Sequence, residues 1–377
     1  MSVSIKEVKT REDLKTFIYL SEKIHKNHKN WLHPLYMDDE KFFDKDKNSL
    51  FKHNEAVLFL AHENGKAVGR IMGVIPTDYN KFHGKNDARF SFFECFENKE
   101  VFNALISAVE TWAKSKNCTE IIGPMAFSDK EPQGFLTKGF EEKAMLVTNH
   151  SFPFMVDFIK ENHYENFVDL VQYDVPITAQ ILNRYKNFNE RVSKNLKIKT
   201  VEFTSTKAVK PYVKPVFDLI NKTYTEIYGF TKLTEDEMTE FAERFLPLLN
   251  PKLIKMITDE NGELLAFIIA MADLSEAIKN SRGRILPFGW ARILWAMKTS
   301  KRLQLLLGAI HPNYQNKGLD AVLATMLFGS ALKLGFKTVD SHLIMKDNTK
   351  MRGEIEKLEG FNLYKEYCIF RKNLVVG

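Results

Sequence analysis

Residues 311–323, HPNYQNKGLDAVL, join a short polar loop to a glycine and then directly to an apolar helical pattern. A strand that runs into such a loop and on into a helix aims unpaired backbone N–H groups at whatever lies before the helix. Those dipoles can hold a diphosphate, and glycine permits close approach and a left-handed backbone. Gln315, Asn316, Lys317, Gly318 and Leu319 are therefore the candidate anion-binding residues. Lys317 reads either as a phosphate contact or as a solvated loop lysine. Asp320 stands in the first helical turn, where it suits the helix dipole but competes with phosphate. At a separation of ~5 Å that repulsion is roughly 0.8 kcal/mol in water and ~3 at an effective dielectric of 20, or about 4- to 150-fold in affinity.

Other chemistry-bearing residues are scattered. His311 closes the strand before the loop and reads either as a base or water-holding group, or as a structural histidine. The segment IIGPMAFSDKEPQGFLTKGFE (121–141) is dense in polar residues and glycine. Its Ser128, Glu131 and Gln133 form either an acceptor-substrate pocket facing the C-terminal half or part of a long interdomain loop. WLHPLYMDDEKFFD (31–44) carries His33, Asp38 and Asp39, but at no metal-ligand spacing, so a packed turn with solvated acids is expected and no metal. Glu94 alternates along a strand and is expected at the surface rather than as a buried base. Residues 284–303, RILPFGWARILWAMKTSKRL, mix helically spaced Trp290, Ile293, Leu294 and Met297 with five basic residues. This segment fits membrane contact with an anionic bilayer, a wall for a long acyl chain, or an insertion packed on the core.

The elements that must position these residues alternate between strand and helix in both halves. Residues 3–8 read as a strand, followed by a helix with Thr10 as N-cap. A hairpin spans 56–75 around ENGK, then come a strand at 88–96, a helix at 99–116 and a strand at 119–125. The order repeats: a strand at 196–203, a helix from near Lys210, and a hairpin at 252–272 around DENGE. A strand at 303–311, a helix at 318–334, a strand at 338–345, a helix to about 358 and a closing strand complete it. The hairpin tips lie about 197 residues apart, a period that indicates a duplicated domain. The expected division is 1–176, a connecting helix at 177–195, and 196–377.

From QNKGLD onward the chain resembles the GNAT acyltransferase superfamily, whose loop reads Gln/Arg-x-x-Gly-x-Gly/Ala between its fourth strand and third helix. MKDNTKMRGEIEKLEGFNLYKEYCIFRK is similar to the family's next block, with Asn348 after the fifth strand and Gly360-Phe361 opening the closing hairpin. The resemblance covers about 250–377 by motif and the N-terminal half by element order. It implies an α/β (α+β) fold of two GNAT-like domains, each a mixed, mostly antiparallel sheet flanked by helices. It also implies acyl transfer from acetyl-CoA or a longer acyl-CoA to a small-molecule amine. The backbone at Ala309 and Ile310 would then align the pantetheine, and 315–320 with Asn348 would hold the coenzyme. Where the family often has a tyrosine acid, four residues before the glycine of the Gly-Phe pair, this chain has Glu356. Glu356 can donate a proton only if burial raises its pKa; otherwise it is a salt-bridge residue. The N-terminal half reads ENKEVFNAL at the place equivalent to the loop, with Glu97 and Glu100 and no glycine, so no coenzyme is expected there.

Composition narrows the classes. With 377 residues, 44% of them hydrophobic, the chain can fill two domain cores. A formal charge of +6 without a basic run interleaved with aromatics excludes a nucleic-acid partner. Three scattered cysteines, Cys95, Cys118 and Cys368, form neither a CxxC nor a disulfide framework and fit the cytoplasm. No signal segment or membrane span is read. The rival to an enzyme is a binding or scaffold protein retaining the tandem body, with Asp320, Glu356 and the acidic N-terminal loop as its support.

Overall fold

The computed structural model describes residues 2–374, with the side chains of 181, 183–188 and 193 left aside. In the N-terminal half the strands are β1 (Ser4–Glu7), β2 (Glu55–Glu63), β3 (Lys66–Ile75), β4 (Asp87–Cys95), β5 (Glu120–Gly123), β6 (Phe135–Lys138) and β7 (Glu165–Pro176). The C-terminal half adds β8 (Lys199–Glu202), β9 (Ile254–Thr258), β10 (Leu264–Ala272), β11 (Arg302–Ile310), β12 (Thr338–Asp340), β13 (Ile344–Met345) and β14 (Asn362–Asn373). Helices α1 (Arg11–Ile24), α2 (Tyr36–Phe42), α3 (Lys99–Ser115) and α4 (Ala179–Leu196) belong to the first half and the connection. The second half carries α5 (Val213–Thr223), α6 (Glu235–Phe245), α7 (Gly289–Thr299), α8 (Leu319–Lys333) and α9 (Thr349–Ile355).

Local chemistry accounts for several of these boundaries. Thr10 caps α1 in a reciprocal box with Asp13, as its position predicts. α6 starts the same way, from Thr234 and Glu237. α8 is apolar all round because it lies between the sheet, which receives Leu323 and Leu327, and α4.

All strands belong to one continuous sheet, ordered β1-β2-β3-β4-β5-β14-β7-β12-β11-β10-β9-β8, with β6 beside β14 and β13 beside β7. The halves exchange their last long strands. β14 closes the N-terminal sheet against β5, and β7 closes the C-terminal sheet against β12. The two exchanged strands pair with each other, antiparallel, with Leu170 opposite Tyr367. Val171, Tyr173, Tyr367 and Ile369 are buried at this seam. Each apolar side chain so buried contributes about 1.5–3 kcal/mol, so the seam is a core and not a linker. The division at 176 and 196 therefore separates the chain by sequence, while β7 and β14 each serve the opposite half.

Both halves contain a fork between two parallel strands. β4 and β5 pair only over Asp87–Arg89 and Glu120–Ile122, and β11 and β12 only over Arg302–Gln304 and Thr338–Asp340. Past these residues the strands part. The segment 338–345, expected as one strand, is broken at Ser341–Leu343, where His342 has φ +59°. The turn at 31–44 contains α2, and its acids are not both solvated: Asp38 pairs with Arg244 at 2.8 Å, while Asp39 is enclosed and one of its oxygens has no partner. Glu94 is likewise not a surface residue. It pairs with Arg70 at 2.8 Å and meets His25 at 3.2 Å.

Candidate active site

The C-terminal fork begins at Gln304 and Asp340. Asp340 accepts from Gln172 at 2.7 Å, from Arg302 at 3.0 Å, and from Tyr364. Arg302 also reaches Asp174 at 3.0 Å. This buried network draws on both halves, because Gln172 and Asp174 lie on exchanged β7. It fixes the fork's apex.

Beyond the apex, β11 has a free edge. It bulges at Leu306, which lies between the pairs Ile269–Leu307 and Ala270–Leu305. The N–H and C=O of Gly308 point away from β10, to the Tyr224 hydroxyl at 3.3 and 2.9 Å. The Ile310 carbonyl accepts from Gln315 at 3.4 Å, while the His311 N–H bonds back to Leu265 on β10. By the period-two alternation of a strand, Gly308 and Ile310 face the fork, and Ala309 faces β10. Of the two residues expected beside a pantetheine, Ile310 thus turns its backbone groups to the fork and Ala309 to β10, and Gly308 shares the fork side with Ile310.

The loop expected from the sequence to hold a diphosphate, 315–320, lies at the far end of that edge. Asn316 and Gly318 take left-handed φ values of +59° and +86°, and Gly318 is the N-cap of α8 without any side-chain cap. Among the described residues no side chain of the protein accepts from the first N–H groups of α8. Gln315, Asn316 and Lys317 are exposed, Lys317 over the Tyr314 ring at 5.1 Å, and Leu319 is buried beneath them. Asp320 is half-buried in the first turn. The equivalent helix in the N-terminal half, α3, is sealed: the Asn98 side chain accepts from the N–H groups of Glu100 and Val101. The N-terminal fork is also filled. Met125 N–H bonds to the Phe90 carbonyl at 2.7 Å, and the buried Arg89 guanidinium bonds to the Phe127 carbonyl at 2.8 Å.

The expected catalytic residues have other partners. His311 caps the turn at 312–314, its Nδ1 accepting from the Asn313 N–H at 3.3 Å. Glu356 accepts from Tyr173 and from Arg352 at 3.1 Å. The Tyr173 hydrogen bond, aided by Arg352, holds its carboxyl below the usual range, the opposite of what a proton donor needs. Asn348 caps α9 through Met351 N–H at 3.1 Å, which leaves its amide NH₂ free of that role.

His342 was not singled out by the sequence. Two residues beyond the apex, it is held by its N–H to Asp340 at 2.8 Å, and the residue as a whole is half-buried. Burial lowers its pKa, opposed by Asp340, so the imidazole is neutral at ordinary pH.

The polar loop of the N-terminal half reaches this cleft. Lys130 donates to the Thr231 carbonyl at 3.1 Å and sits over the Phe230 ring at 4.9 Å. Phe230 in turn packs edge-on against Tyr224, 5.8 Å between centroids. At Gly229 a Cβ would fall 1.9 Å from the Met125 side chain, so glycine allows this close approach. Within the loop, Glu131 accepts from Ser128 N–H at 2.7 Å, and Gln133 donates to the Asp129 carbonyl at 3.4 Å. Burial pushes the Glu131 carboxyl up to about 6, against the Ser128 hydrogen bond. The cysteines are free and buried. Among the described residues no His/Cys/Asp/Glu group is placed to hold a metal ion, and no helix is long and apolar enough to cross a membrane.

No protein-family model matches the chain. Over nearly its whole length it is similar to a bacterial ceramide synthase of Caulobacter vibrioides, 27% identical and covering 99% of this chain and 98% of that one. It is also similar to Protein YghO of Escherichia coli, 26% identical over 97% and 94%. Among solved structures, a tandem GNAT protein from the clavulanic acid biosynthesis pathway superposes with a TM-score of 0.56 and 12% identity, covering 99% of both chains. A GCN5-related N-acetyltransferase from Sphaerobacter thermophilus gives 0.50 at 9% identity, covering 99% and 96%. The chain has the tandem GNAT fold, a mixed and largely antiparallel sheet flanked by helices.

Proposed function

We propose that the chain transfers an acyl group from an acyl-CoA to the amine of a long-chain amphiphile, in the C-terminal fork. The observation that carries this reading is the contrast between halves. The C-terminal half keeps an uncapped helix start at Gly318 beside a bulged strand edge covered by no strand, only by the Tyr224 hydroxyl and the Gln315 side chain. The N-terminal half has its helix start capped and its fork filled by backbone and the buried Arg89. Backbone N–H groups of 316–321 hold the diphosphate, and Gly308 and Ile310 align the pantetheine once Tyr224 yields Gly308. The thioester carbonyl then lies near the bulge at Leu306, where a strand N–H polarises it.

His342 is the base. The neutral imidazole takes the proton of the attacking amine, the nitrogen lone pair forms the C–N bond, and the C–S bond breaks. The imidazolium returns the proton to the departing thiolate, which leaves as free CoA. Proximity and this proton relay supply what aminolysis of a thioester needs. The acceptor enters beside the 128–133 loop, with Ser128, Glu131 and Gln133 along its polar end. Two observations support a long-chain acceptor: Leu306 and Leu307, at the bulge of β11, are partly exposed, and one full-length relative is named a ceramide synthase.

The test is transfer from a long-chain acyl-CoA to a sphingoid base, followed as free thiol. Product with wild type and a loss of at least about 10²-fold with His342→Gln support the reading. Equal turnover by both proteins would remove His342, and no turnover with any amine would leave a binding protein.

A further inference from the structure

Large apolar side chains are exposed at only a few places on the described surface, and half of them fall within 286–295. Leu286 is 68% exposed, Phe288 74%, Trp290 50%, Leu294 50% and Trp295 69%. Within ten residues of sequence they leave on the order of 500 Å² of exposed apolar surface, the size that marks an interaction site. They are not failed core residues, because α7 already buries Gly289, Ile293 and Ala296 against the C-terminal core. Trp290 and Leu294 stand one helical turn apart on the outward face.

The charge carried by the segment itself has one sign. Between Glu276 and Asp320 the sequence contains no acidic residue, but it contains Lys279, Arg282, Arg284, Arg292, Lys298 and Lys301. Arg284 is paired with Glu22 at 2.8 Å. Among the described residues Arg282, Lys298 and Lys301 form no ion pair, and all three are exposed. Exposed tryptophans set among unpaired cations form the pattern of an interfacial anchor: rings at the headgroup level, cations on anionic lipid.

We infer that 285–298 docks this protein on an anionic phospholipid bilayer. A second copy of the chain fits the patch poorly. A stable dimer needs about 800 Å² per partner, and a two-fold contact here would set Arg282, Lys298 and Lys301 close to their own copies. The inference stands on the patch itself and does not require the acyl-transfer reading, although a lipid acceptor would make docking useful.

The experiment is vesicle flotation of the full chain with phosphatidylcholine alone and with equimolar phosphatidylcholine and phosphatidylglycerol. Three proteins are compared: wild type, Phe288→Ser/Trp290→Ser/Trp295→Ser, and Arg282→Glu/Lys298→Glu/Lys301→Glu. All six positions are exposed, and each variant is checked for unaltered melting and for acyl-CoA binding equal to wild type. Flotation of wild type with the anionic vesicles only, reduced at least about tenfold in both variants, is the expected result. No flotation, or flotation that the substitutions leave unchanged, overturns the inference. So does a concentration-dependent dimer abolished by the serine variant, since the patch would then be covered by protein. Unchanged coenzyme binding in the variants separates the fate of the patch from that of the fork.

Discussion

At the scale of single residues, the account places its chemistry on His342. Its lowered pKa fixes the sign of the pH dependence. Catalysis needs the neutral ring, so kcat/KM rises as the imidazolium loses its proton, with a midpoint below 6.5, the ordinary value for histidine. Any limb at higher pH belongs to the amine and persists in His342→Gln, whereas the lower limb disappears. A lower limb retained in the variant contradicts the assignment. Tyr224 makes a second residue-level prediction: Tyr224→Phe frees both polar groups of Gly308 and lowers KM for acyl-CoA about two- to tenfold, read from initial rates. Sequence reasoning passed over His342 because TVDSHLIM has the composition of an uninterrupted strand. The break depends on a left-handed φ at His342 and on Asp340, whose other partners come from the distant strands β7, β11 and β14. Glu94 was misjudged for a related reason: alternation gave its face of the strand, but Arg70 and His25 come from other elements.

At the scale of elements, the proposed function puts coenzyme affinity at the start of α8. Asp320→Asn removes the one carboxylate from its first turn and should tighten acyl-CoA binding, by about 4- to 150-fold if the carboxylate is ~5 Å from a phosphate. Gly318→Val forces a β-branched residue to φ +86°, costing about 1–2 kcal/mol of stability, and also blocks the approach of phosphate. Titration calorimetry for affinity and thermal melting for stability check the pair; unchanged affinity in both variants would move the site elsewhere. This loop was legible because its requirement is local: a strand, a glycine and a helix in succession. The hairpins at ENGK and DENGE and the Thr10 cap were legible for the same reason. α6 was overlooked although Thr234-Glu-Asp-Glu237 spells a capping box, and the bulge at Leu306 has no sequence signal apart from its partner strand.

At the scale of the whole molecule, the exchange of β7 and β14 makes the halves interdependent. A single cooperative melting transition is expected for the full chain, and residues 196–377 alone, lacking β7, should not fold; two separate calorimetric transitions would contradict this. Titration adds a pH dependence. Burial lowers the pKa of His28 to about 4, His33 to about 4 and His150 to about 3, and it lowers His342. Burial also raises Asp39 to about 7 and Glu131 to about 6, which works the other way. As pH falls below 6.5 the unfolded chain protonates His28, His33 and His150, which the folded chain keeps neutral to about pH 5, and His342 acts in the same direction, while the folded chain protonates the two carboxyls. The unfolded state binds the excess, so stability falls from about pH 7.5 to about pH 5, by roughly 1.4 kcal/mol per pH unit for each excess proton. A melting temperature that rises over that interval would contradict the burial described. The duplication was legible in the spacing of the two hairpin tips. The exchange was not, because both final strands mix apolar and polar residues in similar proportion and either could close either half; the choice rests on pairings about two hundred residues apart.

The most direct test of the central claim, that the amide groups ahead of α8 grip an acyl-CoA, is calorimetric titration of the full chain with acetyl-CoA and with a long-chain acyl-CoA below its micellar concentration. The account predicts one site per chain, tightened by Asp320→Asn and lost in Gly318→Trp. No heat with either ligand at millimolar concentration, or binding indifferent to both substitutions, would contradict it.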